Sequence, residues 1–275
     1  MGTLAIVSRK GGSGKSTLAT NLASYLARRN ESVTLGDLDH QQSMRVWLSR
    51  RPSAAPRIVG WVGDSGGLAR PLIGTQHLIL DTPGGLHGLG LAKVVMAVDA
   101  IVLPVAGSVF DRESASDYWN ELRAHPKVAS GRCRVAALGM RLDGRTGAGE
   151  VTEDWAASVG LPYIGALRAA QVYVRAVENG ISIFDMPETV TQADRLQWLP
   201  ILDWVEPVFG QGLDAGASLD TAQAAAKVIP LRPITAAKAT TVAAATGNAN
   251  PVGDSGAGSG PLWSRWLPGF LTRRR

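Results

Sequence analysis

A glycine- and lysine-rich loop follows the apolar run Leu4-Ala5-Ile6-Val7 near the start of the chain. It reads Arg9-Lys10-Gly11-Gly12-Ser13-Gly14-Lys15-Ser16-Thr17. Placed between a strand and a helix, such a loop folds around a polyphosphate. Its glycines let backbone N–H groups turn inward, the second lysine (Lys15) reaches the β- and γ-phosphates, and the Ser16 hydroxyl can ligate Mg²⁺. Leu18, Leu22, Tyr25 and Leu26 recur on one face just downstream, so a helix begins here and aims its positive end at the same anion. An ordinary G-x-x-x-x-G-K-[ST] loop requires glycine at position 9. This chain has arginine there and opens the motif with Lys10 instead.

The rest of the first 210 residues alternates short apolar runs with amphipathic stretches. Strands are expected at Thr3–Ser8, Ser32–Asp37, Arg57–Val62, His77–Asp81, Ala100–Val105, Cys133–Met140 and near Pro162–Ala166. Helices are expected near Lys15–Arg29, Gln41–Arg50, Gly88–Val98, Asp111–Ala124, Glu150–Val159, Ala169–Asn179 and Gln192–Phe209. Continuous Val/Ile/Leu runs belong to a parallel sheet covered on both faces, so the pattern predicts a doubly wound α/β fold with its ligand at the carboxyl ends of the strands.

Two acidic sites fall where that fold needs them. Asp37 and Asp39 end the second strand, and Asp81 ends the apolar strand His77-Leu78-Ile79-Leu80. Asp81 reads as the carboxylate that holds Mg²⁺ through its water shell, and Gly84-Gly85 gives the following loop freedom to move. Asp39 reads either as the group that orients an attacking water or as a helix N-cap.

Taken together, Lys10-Gly11-Gly12-Ser13-Gly14-Lys15-Ser16 resembles the deviant phosphate loop of the ParA/MinD family of ATPases. Asp37, Asp39 and Gln41 are similar to that family's D-x-D-x-Q switch, with His40 in place of its usual proline. Ile101–Asp111 and Ala176–Asp185 resemble two later family segments, so the likeness spans about residues 3–208. It implies a slow, partner-stimulated ATPase using ATP and Mg²⁺. Lys10, Lys15 and Asp39 would be catalytic, residues Lys10 to Thr17 would bind the nucleotide, and Ser16, Asp39 and Asp81 would serve the metal. By the same resemblance Lys10 crosses a dimer interface to the partner's nucleotide, giving an ATP-dependent sandwich homodimer. ParA-type relatives grip DNA without sequence preference, which makes Arg141, Arg145, Arg168 and Arg175 candidate DNA contacts, Arg168 foremost. The implied role is partition or positioning of a plasmid, chromosome region or other cargo, with a ParB-like or cargo-adaptor partner, in the cytoplasm and on the nucleoid. Many relatives carry asparagine where Met140-Arg141 stands, so no residue here is identified as reading adenine.

Composition narrows the options. Iron–sulfur reductases with this loop need two cysteines per subunit, and the chain has one, Cys133, expected in a buried strand. Tyrosine kinases with this loop modify a tyrosine-rich tail, and residues 211–275 contain no tyrosine. One cysteine, an N-terminus that enters a strand at once and no long apolar run together read as cytosolic. Residues 1–210 hold 21 Lys/Arg against 20 Asp/Glu, so DNA binding would need a local basic patch rather than bulk charge.

Beyond the ATPase domain (1–210) the composition shifts to an Ala/Gly/Thr/Ser-rich stretch at 211–260, read as a flexible linker. It ends in the Trp/Arg-rich amphipathic tail 261–275, where Trp263, Trp266, Leu267, Phe270 and Leu271 precede Arg273-Arg274-Arg275. Three fates are open to that tail: docking on a partner protein, peripheral membrane binding in the manner of MinD-type relatives, or packing on its own domain. Pro268-Gly269 counts against an unbroken membrane helix.

Overall fold

The expected parallel sheet forms, and its registers show why. In a computed structural model, which describes residues 1–63 and 74–210, seven strands run in chain order. They are β1 (Gly2–Ile6), β2 (Val33–Asp37), β3 (Val59–Val62), β4 (His77–Asp81), β5 (Ala100–Val105), β6 (Arg134–Leu142) and β7 (Tyr163–Arg168). All pair in parallel in the order β3-β2-β4-β1-β5-β6-β7. β1, β2, β4 and β5 are buried at every position, as uninterrupted apolar runs require when helices cover both faces. Ile6, Asp37 and Asp81 lie in register across the central strands, so the phosphate loop and both acidic sites emerge at one edge.

Eight helices cover the sheet among the described residues: α1 (Lys15–Arg28), α2 (Ser43–Arg50), α3 (Gly88–Ala97), α4 (Val109–Arg123), α5 (Pro126–Ala129), α6 (Ala148–Ser158), α7 (Gln171–Glu178) and α8 (Glu188–Gly210). Alternate residues along β1 and its continuation to Val7 separate two cores. Leu4 and Ile6 join Leu18, Leu22, Trp47 and Trp198 on the α1/α2/α8 face, while Ala5 and Val7 join Leu91, Val95, Tyr118 and Leu122 on the α3/α4 face. Cys133 is buried just before β6, and burial pushes its thiol up to about 11.

Several boundaries differ from the sequence reading for identifiable reasons. α8 begins at Glu188 rather than Gln192, and Pro200 and Pro207 lie inside it with both prolines on its exposed side. The single turn α5 was not expected; four residues show no period, and the turn is set by the His125 ring accepting from Lys127 N–H. β3 is only Val59–Val62, and β6 runs on to Leu142 through a register shift at Met140/Leu142. No helix among the described residues is long and apolar enough to cross a membrane. The linker and tail expected at 211–260 and 261–275 lie outside the described residues.

Candidate nucleotide-binding site

At the carboxyl edge of the sheet, the loop from β1 to α1 borders a cavity of about 830 Å³, within the range that small-molecule ligands occupy. Gly11, Gly12, Ser13, Gly14, Lys15, Ser16 and Thr17 line one wall, joined by Asp39, Gln41, Pro83 and Gly84. Arg9, Met140, Arg141 and residues 167–171, 173, 174, 177 and 178 at the end of β7 and in α7 complete the lining. Gly14 adopts φ +93°, and a Cβ there would lie 2.5 Å from Met140 Cε, so both conformation and space call for glycine.

Lys15 is buried, and its ammonium makes only a long 3.5 Å contact to the Lys10 carbonyl. Burial lowers its pKa, opposed by the nearby charges of Asp81 and Asp39. Asp81 Oδ2 accepts from the Ser16 hydroxyl at 2.6 Å, whereas its buried Oδ1 has no partner. Burial pushes this carboxyl up to about 7; the Ser16 bond opposes the rise and the Asp37 charge adds to it. An orphaned carboxylate oxygen beside a hydroxyl at the head of a phosphate loop fits a hydrated Mg²⁺. No group of three or more His, Cys, Asp or Glu side chains among the described residues could hold a metal alone, so such an ion would draw further ligands from phosphate and water.

The two switch aspartates take different positions. Asp37 accepts from the backbone N–H of Asp39 (3.0 Å) and Met44 (2.9 Å), so it, and not Asp39, caps the start of α2. Asp39 accepts only the local Gln41 N–H at 3.0 Å and lines the cavity, free of the capping duty that the sequence left open to it. The segment after β4 approaches the phosphate loop closely. Gly85 N–H donates to the Ser8 carbonyl at 3.0 Å, and a Cβ on Gly84 would stand 3.1 Å from Gly11 N.

Lys10 does not line the large cavity. Its ammonium lies 2.6 Å from Asp111 Oδ1 in the first turn of α4, beside the exposed Val109 and Phe110. Ser108 caps that helix through Asp111 N–H at 3.1 Å, and its hydroxyl also donates to Asp111 Oδ2. The partner of Lys10 was not singled out from sequence, although the S-x-x-D spacing of Ser108 and Asp111 is a helix-start pattern that marks the carboxylate's place. Glu121 of α4 was also missed. It accepts from Arg9 (3.2 Å) and from Gly88 N–H (2.8 Å), tying the phosphate loop to the segment after β4.

The four arginines do not share one environment. Arg168, the foremost DNA candidate from sequence, lines the nucleotide cavity and is held in two bonds by the buried carboxylate of Asp194 (2.8 and 3.1 Å). Arg141 lines the same cavity and donates to the Gly12 carbonyl at 3.0 Å. Arg145 is highly exposed, paired only with Asp143, and Arg175 is exposed on α7 without an ion pair among the described residues.

Comparisons with known proteins bear on the family and the fold. The CobQ/CobB/MinD/ParA nucleotide-binding domain family matches residues 4–183. The chain is 31% identical to a maintenance of carboxysome distribution protein A from Gloeobacter kilaueensis, over 66% of this chain and 82% of that protein. It is 27% identical to the chromosome-partitioning ATPase Soj of Thermus thermophilus, over 52% of this chain and 70% of that one. Among solved structures, a McdA–ATP complex from Cyanothece gives a TM-score of 0.58 at 17% identity, covering 76% of this chain and 96% of that one. MinD of Pyrococcus horikoshii with Mg-ADP gives 0.57 at 14% identity, covering 77% and 98%. At such identities the structural likeness is one of fold.

Proposed function

This chain belongs to the CobQ/CobB/MinD/ParA nucleotide-binding family, a family of ATPases, and on that premise we propose that it is a ParA-like ATPase whose nucleotide state controls a sandwich homodimer. The observation that carries this reading is the posture of Lys10. A loop lysine that does not line its own cavity and is held on Asp111 at an exposed, partly apolar surface supports a role on a nucleotide across an interface.

Within that dimer, Lys15 and the loop amides bind the polyphosphate, Asp39 orients the attacking water, and Ser16 and Asp81 hold Mg²⁺. The metal, when bound, neutralises charge on the phosphates. Asp39 suits its role because its carboxylate faces the cavity without a structural load, whereas Asp37 is committed to α2. ATP closes the dimer, the dimer holds DNA without sequence preference, and a ParB-like or cargo-adaptor partner stimulates hydrolysis to release it. DNA contact falls to Arg145 and Arg175, exposed residues away from the cavity lining, rather than to Arg168 and Arg141, which line the cavity and are bonded there to Asp194 and the Gly12 carbonyl. The related carboxysome-distribution and chromosome-partitioning proteins support a large intracellular body or a chromosome as cargo, with action in the cytoplasm on the nucleoid.

Sedimentation of the full chain with ATP and Mg²⁺ tests the reading. Wild type should dimerise, Asp39→Ala should remain dimeric with ATP bound, and Lys10→Ala should bind ATP as a monomer. A wild type that stays monomeric in ATP, or equal dimerisation of all three, overturns it. A mobility shift at low salt that is indifferent to ATP removes the DNA step, and vesicle co-sedimentation that depends on 261–275 replaces DNA with membrane, the MinD-like alternative.

A further inference from the structure

Arg141 stands where strand geometry gives way to something less common. It is the bulged residue at the end of β6, between the shifted registers of Met140 and Leu142, and adopts φ +57°. A non-glycine residue in the left-handed region carries a local conformational cost, which persists only where surrounding structure imposes it. The bulge gives adjacent residues two points of contact on the phosphate loop: Met140 Cε packs against Gly14, and Arg141 Nη1 donates to the Gly12 carbonyl at 3.0 Å.

That second contact has a consequence one atom further on. The carbonyl of Gly12 and the N–H of Ser13 belong to a single planar trans peptide and point in opposite directions. Little else fixes that plane. Gly12 adopts φ +71° with nothing within 4 Å of where a Cβ would stand, and the Ser13 hydroxyl has no hydrogen-bond partner. A peptide that follows an unhindered glycine and lacks a hydrogen-bonded tie can flip, and a flipped one exchanges the positions of its N–H donor and its carbonyl acceptor.

We propose that Arg141 is a positioning residue of the nucleotide site: by bonding the Gly12 carbonyl, its guanidinium fixes the plane of the Gly12–Ser13 peptide and with it the direction in which the Ser13 N–H is offered to a phosphate. This rests on the loop being a nucleotide site, and it places Arg141 with phosphate binding instead of with DNA. The contact lies at the cavity's exposed rim, so its effect is that of one partly solvated charge-assisted hydrogen bond, about three- to tenfold in affinity.

The test uses the full chain, calorimetric titration with Mg-ADP, and thermal melts without nucleotide. Failure of wild type to bind ADP would sink the nucleotide reading itself. With wild type binding, Arg141→Gly should lose about three- to tenfold in ADP affinity while its Tm stays within about 2 °C of wild type or rises, because glycine relieves the left-handed backbone. Arg141→Lys, which keeps a long donor, should regain part of the affinity. Unchanged ADP affinity in Arg141→Gly, a Tm that falls together with affinity, or no recovery in Arg141→Lys would each overturn the assignment.

Discussion

Two buried charged clusters in this molecule are built in opposite ways. Arg51 and Asp185, 5% and 4% exposed, link the end of α2 to the turn before α8 in a two-bond pair of 3.0 and 3.2 Å. Their remaining valences are used as well. Arg51 donates to the carbonyls of Pro56 and Gly180 and to Ser24 Oγ and lies over the Trp47 ring, while Asp185 accepts from Ser182 N–H and Oγ. Around Lys15 the matching fails: one lysine with a single long contact lies among the charges of Asp39 and Asp81, and an Asp81 oxygen is orphaned. Burial alone therefore does not distinguish a structural from a functional charge. What distinguishes them is whether the protein supplies the partners itself or leaves them to a ligand.

The contrast breaks most visibly at Lys15. Lys15→Ala should reduce ADP and ATP affinity by about a hundredfold or more while the nucleotide-free Tm moves by only about 2–3 °C, as measured by calorimetric titration and thermal melts. A large loss of stability with nucleotide binding intact would assign Lys15 to the structural class.

Asp185→Ala should behave in reverse. It strands the buried guanidinium of Arg51 and should cost about 3–5 kcal/mol in denaturant unfolding, with ADP affinity unchanged where the variant remains folded. A cost under about 1 kcal/mol would show that water reaches Arg51.

Smaller, but sharper in sign, is the pH dependence of the metal- and nucleotide-free protein. Burial opposes ionisation of Asp185, but the Arg51 and Ser182 bonds outweigh it and hold its pKa below the usual carboxylate value. Its contribution is present above pH ~4 and is lost as pH falls through the depressed folded value. Asp81 runs the other way. Its folded pKa is raised to about 7, so the folded form keeps a proton that the unfolded chain has released, and stability falls as pH rises from ~4 through 7. Asp81→Asn should remove that decline in unfolding free energy between pH 5 and 8. A wild-type profile flat over this window would place Asp81 with the satisfied group.

How much of this was legible in the sequence follows the range of the interactions. The phosphate loop, strand-end aspartates and parallel sheet are local patterns: glycines where the backbone must turn, an apolar run before a carboxylate, and four strands buried end to end. The partner of Lys10, 101 residues away on α4, has no local signature as such, nor does the sharing of Glu121 between Arg9 and Gly88, 112 and 33 residues distant. The four arginines looked equivalent as residue types, yet Arg168 meets Asp194 only because α8 returns past the end of β7.

The sequence by itself determined that this chain builds a phosphate loop at the carboxyl edge of a parallel sheet, with a second lysine ahead of the first glycine pair. Those features follow from backbone freedom and hydrophobic period, which are properties of neighbouring residues. Only the tertiary structure decided which charges are answered inside the protein. Asp37 is consumed by α2 while Asp39 faces the cavity, and Lys10 is turned away from the loop it opens. Charge satisfaction depends on what chain topology brings within about 3 Å, and distant residues meet only when the sheet and helices close around them.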